Sequence, residues 1–124
     1  MSTESLLARA AKYLETASFL LERDPESSIS RSYYAMFFAA KALLNVHGIR
    51  TRTHNGLHRQ FSKHFIKTDL LPEKLVRYLG DAFDARLLSD YADNPALTQH
   101  DAEVTLESAR IFVDHIRQFL KASP

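Results

Sequence analysis

Apolar residues recur at three- and four-residue steps over most of this chain, a spacing that places side chains on one face of an α-helix. The first such stripe predicts a helix from about Thr3 to Glu22, with Ser2 or Thr3 as its N-cap and Glu4 in its first turn. No segment alternates apolar and polar residues in the way that a half-buried strand does. The members of the stripe are Leu6, Ala10, Leu14, Ala17 and Leu21.

The second helix is indicated by its ends and by its apolar centre. Asp24 is a favourable N-cap, Pro25 suits the first helical position, and Glu26 would lie near the positive end of the helix dipole. We predict that this helix runs from about Pro25 to His47 and ends at Gly48. Its stretch YYAMFFAAKALL is apolar almost all round, which predicts a central helix covered by its neighbours or by a second subunit.

Three further helices are predicted from their start signals. A shorter third helix should start at Thr53 or Asn55, and a fourth at Pro72. A fifth should start at Thr98, where Asp101 completes a pair resembling a capping box. The fold class is therefore all-α, an antiparallel up-and-down four-helix bundle with an additional short helix, and residues 1–124 form a single domain. The apolar stripes of these helices are Leu57, Phe61 and Phe65; Leu75, Leu79, Phe83 and Leu87; and Ala102, Leu106, Ala109, Val113, Ile116 and Leu120.

Composition narrows the classes of function. The chain has no cysteine, which excludes a disulfide scaffold, thiol catalysis and cysteine-based metal sites, and which fits a reducing cytosol. No apolar run approaches the roughly 20 residues of a membrane span, and the N-terminal stretch lacks the layout of a signal peptide. We expect a cytoplasmic protein without membrane contact.

The net charge of +1 is spread unevenly. Residues 50–67 carry five basic side chains, three histidines and no acid, whereas residues 68–124 carry six basic and ten acidic side chains. The middle block could attract phosphate or an acidic protein surface, and the alternative is an ordinary solvated helix face.

Arg86 and Asp90 are polar residues on the stripe that Leu79 and Phe83 define as the core side of the fourth helix. A buried charge without a partner is costly, and residues four apart can pair with each other. The pair is interpreted either as an internal ion pair that locks the helix end or as part of a functional site.

Arg31 and Tyr34 form a similar anomaly near the start of the second helix, on the side of Phe38. The Arg31 guanidinium could meet Asp90 or the Tyr91 hydroxyl across the bundle, or it could bind phosphate. For the neighbouring Tyr33 we favour a packed ring with a hydrogen-bonded hydroxyl.

The loop that enters the third helix offers a candidate anion site. Arg50, Arg52 and His54 precede or begin this helix, whose N-terminal backbone donors suit an anion, although most such loops are simply capped helix entries. His54 and His58 have the spacing of a helical metal pair, but no third ligand is evident, so we expect surface histidines, no metal and no cofactor. The only catalysis that these residues leave open is one carried out by arginine, histidine, tyrosine and aspartate side chains. Cleavage of RNA is an example.

Three motifs together resemble the HEPN family of small stand-alone proteins. They are SRSYYAMF at residues 30–37, THNGL at residues 53–57 and RLLSDY at residues 86–91, and the match covers nearly the whole chain. The resemblance implies a four-helix bundle with an extra short helix, a homodimer, and association with a minimal nucleotidyltransferase, often as a toxin–antitoxin pair. It also implies metal-independent RNase activity in many members, based on an arginine followed four to six residues later by a histidine that faces its symmetry mate.

This sequence departs from that signature, because Asp90 stands about where the histidine would follow Arg86. Arg59 and His64 satisfy the literal spacing, but they belong to another helix and lie about 140° apart around it, so we interpret that match as chance. By the same resemblance Tyr91 is a candidate for adenylylation by the partner enzyme.

Three interpretations follow. In the first, the chain is a non-catalytic or weakly catalytic HEPN subunit that binds a nucleotidyltransferase partner and a nucleotide or RNA phosphate. Its polar cleft is then lined by Arg31, Tyr34, Arg86, Asp90 and Tyr91 near a dimer interface. In the second, it is an RNase toxin that combines Arg86 with a histidine from elsewhere, for example His54. In the third, it is a helical adaptor whose polar cluster is only structural.

Overall fold

Five α-helices account for most of the computed structural model, which describes residues 1–91 and 97–122, with Tyr91 described by its backbone alone. The helices are α1 (Thr3–Leu20), α2 (Pro25–Val46), α3 (His54–Phe61), α4 (Lys74–Tyr91) and α5 (Gln99–Ala122). No strand forms within these ranges, and the predicted all-α bundle with one additional short helix, α3, is confirmed.

The helix ends follow the local signals in the sequence. In α5, the Asp101 carboxylate accepts a hydrogen bond from the Thr98 N–H at 2.8 Å, and the Thr98 hydroxyl accepts one from the Asp101 N–H at 3.2 Å, which confirms the predicted capping pair. At Gly48 a φ of 72° agrees with the predicted left-handed stop after α2. The helices α1 and α2 end one or two residues earlier than predicted. The N-caps of α1, α2 and α3 are Ser2, Asp24 and Thr53.

The second helix is central, as its apolar composition predicts. It packs against α1, α3, α4 and α5, and from Ile29 to Leu44 most of its side chains are fully buried. The Ser28 hydroxyl donates to the Ala17 carbonyl at 2.7 Å, which ties α2 to α1. Ser89 of α4 donates to Glu26 at 3.2 Å and so ties the end of α4 to the first turn of α2.

The short third helix continues directly into a π-helical turn, Ser62–Ile66, which the sequence pattern did not predict. Leu57, Phe61 and Phe65 are all buried, so the predicted stripe is confirmed and extends into the π turn. None of the described helices combines the length and the apolarity required to cross a bilayer.

Candidate functional site

The hydroxyl of Tyr33 joins two histidines at the junction of α2 and α3. Its oxygen lies 2.7 Å from His54 Nδ1 and 3.0 Å from His58 Nε2, and the tyrosine itself is 0% exposed. A phenol has one proton, so it donates to one imidazole and accepts the N–H of the other. Tyr33 therefore couples the proton positions of the two histidines.

Local structure in α3 places both histidines on this hydroxyl. The Thr53 side chain accepts a hydrogen bond from the Gly56 N–H at 2.9 Å, and this cap makes His54 the first residue of the helix. His58 follows one turn later on the same side. A Cβ at Gly56 would lie only 2.9 Å from the Thr53 hydroxyl oxygen, so glycine at this position permits the cap.

Aromatic rings enclose the two imidazoles. Phe83 of α4 stacks on His54 with ring centroids 5.6 Å apart and an interplanar angle of 25°, and it meets His58 edge-on at 5.0 Å. Phe37 of α2 lies 4.7 Å from His54. Since the rings exclude water from part of each imidazole, they disfavour the charged form.

Arg86 of α4 completes the group of side chains that we call the Tyr33 cluster: Tyr33, Tyr34, His54, His58 and Arg86. Its guanidinium carbon lies 5.1 Å from the Tyr34 ring centroid and 6.0 Å from that of Tyr33. The cluster thus draws on α2, α3 and α4, and it combines a permanent positive charge with two titratable bases.

The structure confirms that Arg86 and Asp90 pair, with Arg86 Nη2 3.6 Å from Asp90 Oδ2, but it corrects the interpretation of an internal ion pair. The Arg86 side chain is 21% exposed and that of Asp90 45% exposed, so the pair lies at the surface. The apolar stripe gives the correct direction for both side chains, but the neighbouring described helices leave these two side chains partly exposed.

The environment shifts the pKa values of the two histidines and of Tyr33 so that each side chain favours its neutral form. Burial lowers the pKa of His54 below its ordinary value of 6.5, and the positive charge of Arg86 lowers it further. Burial likewise lowers the pKa of His58, as does His54, whereas Asp84 opposes the shift. Burial raises the pKa of Tyr33, with a further rise from Tyr34. At neutral pH the cluster is therefore a neutral phenol and two neutral imidazoles beside one cation.

Three of the predicted phosphate-binding residues, Arg31, Arg50 and Arg52, lie apart from the Tyr33 cluster. The guanidinium of Arg31 is exposed and lies over the ring of Tyr13 at 5.4 Å, and it forms no ion pair with Asp90 within the described residues. Arg52 is exposed, and Arg50 lines a separate cavity of about 330 Å³ together with Lys41. Tyr34 is the one predicted phosphate-binding residue besides His54 that joins the cluster. The side chain of Tyr91 lies outside the described residues, so its predicted place beside Arg86 stays a prediction.

Sequence reasoning missed the roles of Tyr33 and His58 in this site. The hydrogen-bonded hydroxyl of Tyr33 was expected, but its partners were not, and the expectation of surface histidines is wrong because both rings are half-buried on Tyr33. The spacing of the two histidines was the available signal, but it was interpreted only as metal-ligand spacing. In the described part of the chain, no group of three metal-ligating side chains forms around them.

A cavity on the surface of α1 does not mark the site. It has a volume of about 600 Å³ and lies along the outer side of α1, where Lys12, Glu15 and Phe19 line it together with small residues. No member of the Tyr33 cluster lines it. The chemistry of the side chains, rather than the size of a cavity, identifies the candidate site.

An all-α bundle with an arginine–histidine–tyrosine cluster between its helices belongs to the class of small helical domains with a polar site at a helix junction. The model of the HEPN domain matches residues 3–119, so this chain belongs to the HEPN domain family.

Its similarity to curated relatives extends over nearly the whole chain. It is 33% identical to "Putative toxin MJ0142" of Methanocaldococcus jannaschii, over 94% of this chain and 80% of that protein. It is 34% identical to "UPF0332 protein glr0978" of Gloeobacter violaceus, over 94% of both chains. A second protein of M. jannaschii, "Putative toxin MJ0605", is 31% identical over 95% of this chain and 88% of its own length.

Proposed function

We propose that this chain is a toxin-type HEPN subunit whose Tyr33 cluster cleaves RNA. One observation carries the proposal: a histidine, His54, shares the Tyr33 cluster with Arg86 although it comes from a different helix. In this proposal His54 takes the role of the histidine that the HEPN signature places after the arginine. Two relatives that carry the word toxin in their names support the assignment.

The proposed reaction needs a base, an acid and a positive charge. A ribose 2′ oxygen loses its proton to a neutral imidazole and forms a bond to phosphorus, the bond from phosphorus to the 5′ oxygen breaks, and the 5′ oxygen takes up a proton from an imidazolium. His54 is neutral at physiological pH because of its lowered pKa, which suits it to the first step. The guanidinium of Arg86 stabilises the charge on the phosphate oxygens.

Growth and cleavage measurements test this function. Induced expression of the unaltered chain in bacteria should stop growth, and the purified protein should cleave single-stranded RNA in the presence of EDTA. Arg86→Ala and His54→Gln should abolish both effects. Arg77→Ala is the matched control, since Arg77 is an exposed arginine on the same helix as Arg86 but outside the cluster. Harmless expression together with intact RNA would refute the proposal, and so would equal effects of Arg77→Ala and Arg86→Ala.

A second candidate is a non-catalytic subunit that binds a nucleotide or RNA phosphate and acts with a minimal nucleotidyltransferase. The ion pair of Arg86 with Asp90, at the position where a histidine would stand in the signature, favours it. In that case purified protein would bind a labelled nucleotide or RNA without cleaving it, and Arg86→Ala would abolish binding without changing growth. If Arg86→Ala lowered only the melting temperature, the chain would be a helical adaptor.

The proposed module also contains a partner and a second copy of this chain. Co-purification with the product of an adjacent nucleotidyltransferase gene would support the partner, and sedimentation equilibrium would test the homodimer. Modification of Tyr91 is tested by mass spectrometry after incubation with the partner and ATP. An unmodified Tyr91 peptide would refute that step alone.

A further inference from the structure

A continuous strip of half-buried aromatic rings extends outward from the Tyr33 cluster along α1 and α2. We call it the aromatic face, and it consists of Tyr13 of α1 and Tyr34, Phe37 and Phe38 of α2. Tyr13 stacks on Phe38 with centroids 5.5 Å apart and an interplanar angle of 11°, and it lies 6.0 Å from Tyr34. Phe37 lies 5.3 Å from Phe38.

Each ring of the aromatic face has its own cation. Arg9 lies 5.2 Å from the centroid of Phe38, Arg31 5.4 Å from that of Tyr13, Lys41 5.9 Å from that of Phe37, and Arg86 5.1 Å from that of Tyr34. Of these four cations only Arg86 has an ion pair within the described residues. The face is therefore both aromatic and positively charged.

The acidic residues of α1 point away from this face. At 100° per residue, Glu4 and Glu15 lie about 160–180° around the helical wheel from Tyr13, whereas Arg9 lies about 40° from it. Within α1, the two glutamates therefore lie on the side away from the aromatic face, and Arg9 lies on the side toward it.

These charges decide between possible occupants of the face. A second copy docked on it about a twofold axis would bring two sets of four cations together, and like charges in an interface are unfavourable. A neutral apolar partner would strip water from the cations without compensation. The ligand that fits must supply negative charge and flat rings together, and a single-stranded nucleic acid supplies both, as phosphates and bases.

We infer that the aromatic face binds the segment of single-stranded RNA that flanks the phosphate held at Arg86. Tyr34 belongs both to this face and to the Tyr33 cluster, so a strand bound here continues into the candidate site. Bases stack on the rings and on the guanidinium planes, while Arg9, Arg31 and Lys41 neutralise phosphates. The inference rests on the proposed function, since it names the substrate contacts of the same site.

Binding of a 2′-O-methyl RNA 12-mer tests the inference without interference from cleavage, because the 2′ oxygen is blocked. By fluorescence anisotropy, Arg9→Gln combined with Arg31→Gln should raise Kd about tenfold and lower the slope of log Kd against log salt by about 1 to 2. Tyr13→Leu keeps an apolar side chain but removes the ring, and it should raise Kd about tenfold with little change in slope. Lys12→Gln is the matched control, because Lys12 is an exposed cation on the outer side of α1.

Two further probes separate RNA from the other occupants. Inorganic polyphosphate should bind without quenching tyrosine fluorescence, whereas the 12-mer should quench it, and the chain has five tyrosines and no tryptophan to obscure the signal. If Tyr13→Leu or the double arginine variant converted a dimer into a monomer in sedimentation, the face would be a contact between copies and the inference would be wrong. Absence of RNA binding, or equal Kd values for Lys12→Gln and the double variant, would also overturn it.

The outcomes distinguish this inference from the proposed function. If face variants weaken binding but the unaltered chain never cleaves RNA, the inference stands and the RNase function falls. If the unaltered chain cleaves RNA while face variants leave Kd and KM unchanged, the function stands and the inference falls.

Discussion

Replacing Tyr33 with phenylalanine removes one oxygen atom from the centre of the cluster and leaves the ring in place. The hydroxyl makes two hydrogen bonds, at 2.7 Å to His54 and 3.0 Å to His58. Each such bond contributes about 0.5–1.5 kcal/mol, and the imidazole nitrogens left without a partner are half-buried, so water restores part of the loss. We expect Tyr33→Phe to lower the free energy of unfolding by about 2 kcal/mol.

Urea denaturation followed by circular dichroism at pH 8 measures this loss. With an m-value of about 2 kcal/mol/M, the midpoint should fall by about 1 M urea while the slope stays constant. Tyr34→Phe is the control, because within the described residues the Tyr34 hydroxyl makes no hydrogen bond although its ring lies 5.3 Å from that of Tyr33. It should change stability by less than about 0.5 kcal/mol. Equal losses for the two variants would refute the assignment of Tyr33 as the link between the histidines.

Three further predictions concern buried hydroxyls, the surface ion pair and pH. Ser28→Ala should lower the free energy of unfolding, measured by urea denaturation, by about 1 kcal/mol, because the Ser28 hydroxyl donates to a carbonyl of α1. Ser32→Ala should leave it unchanged or raise it by up to about 1 kcal/mol, because the buried Ser32 hydroxyl has no partner within the described residues. Arg86→Ala should cost only about 1 kcal/mol in the same assay, rather than the roughly 3–5 kcal/mol of a buried pair, because its side chain is 21% exposed. Since the folded pKa values of His54 and His58 lie below 6.5, the unfolded chain binds more protons as the pH falls. Their contribution to stability should be complete well above pH 6.5 and lost below it. Urea midpoints from pH 8 to pH 5 should therefore decline less in a variant that combines His54→Gln with His58→Gln.

The helices and their inner faces could be predicted because the signals for them are local. A capping pair such as Thr98 and Asp101, or a glycine stop such as Gly48, acts within one turn of the helix that it ends. The π-helical turn after α3 could not be predicted, because the apolar spacing from Phe61 to Phe65 is the same in a continuing α-helix.

Only the part of the candidate site that depends on local spacing could be predicted from the sequence. Arg86 and Asp90 are one turn apart, so their pairing follows from spacing alone. The bonds from Tyr33 span 21 and 25 residues and depend on how α3 packs against α2, which no local pattern encodes. Burial is equally non-local: Leu79 is 0% exposed and Asp90 45% exposed although both belong to one predicted stripe.

The number of protons that the cluster can hold limits its chemistry. If both His54 and His58 were charged, the Tyr33 oxygen would accept two N–H groups and its own proton would have no acceptor among them. Two imidazolium ions would also lie beside the Arg86 cation, which already lowers the pKa of His54. The cluster therefore holds a single extra proton. In the proposed reaction, His54 takes up the proton of the 2′ oxygen at Nε2 and passes its Nδ1 proton to the Tyr33 oxygen, while the Tyr33 hydroxyl proton moves to His58 Nε2. Tyr33 stays a neutral phenol, and the positive charge ends on His58, where Asp84 favours it. This transfer would move positive charge away from Arg86 and leave its guanidinium to the phosphate, so a lost hydroxyl should impair turnover more than substrate binding.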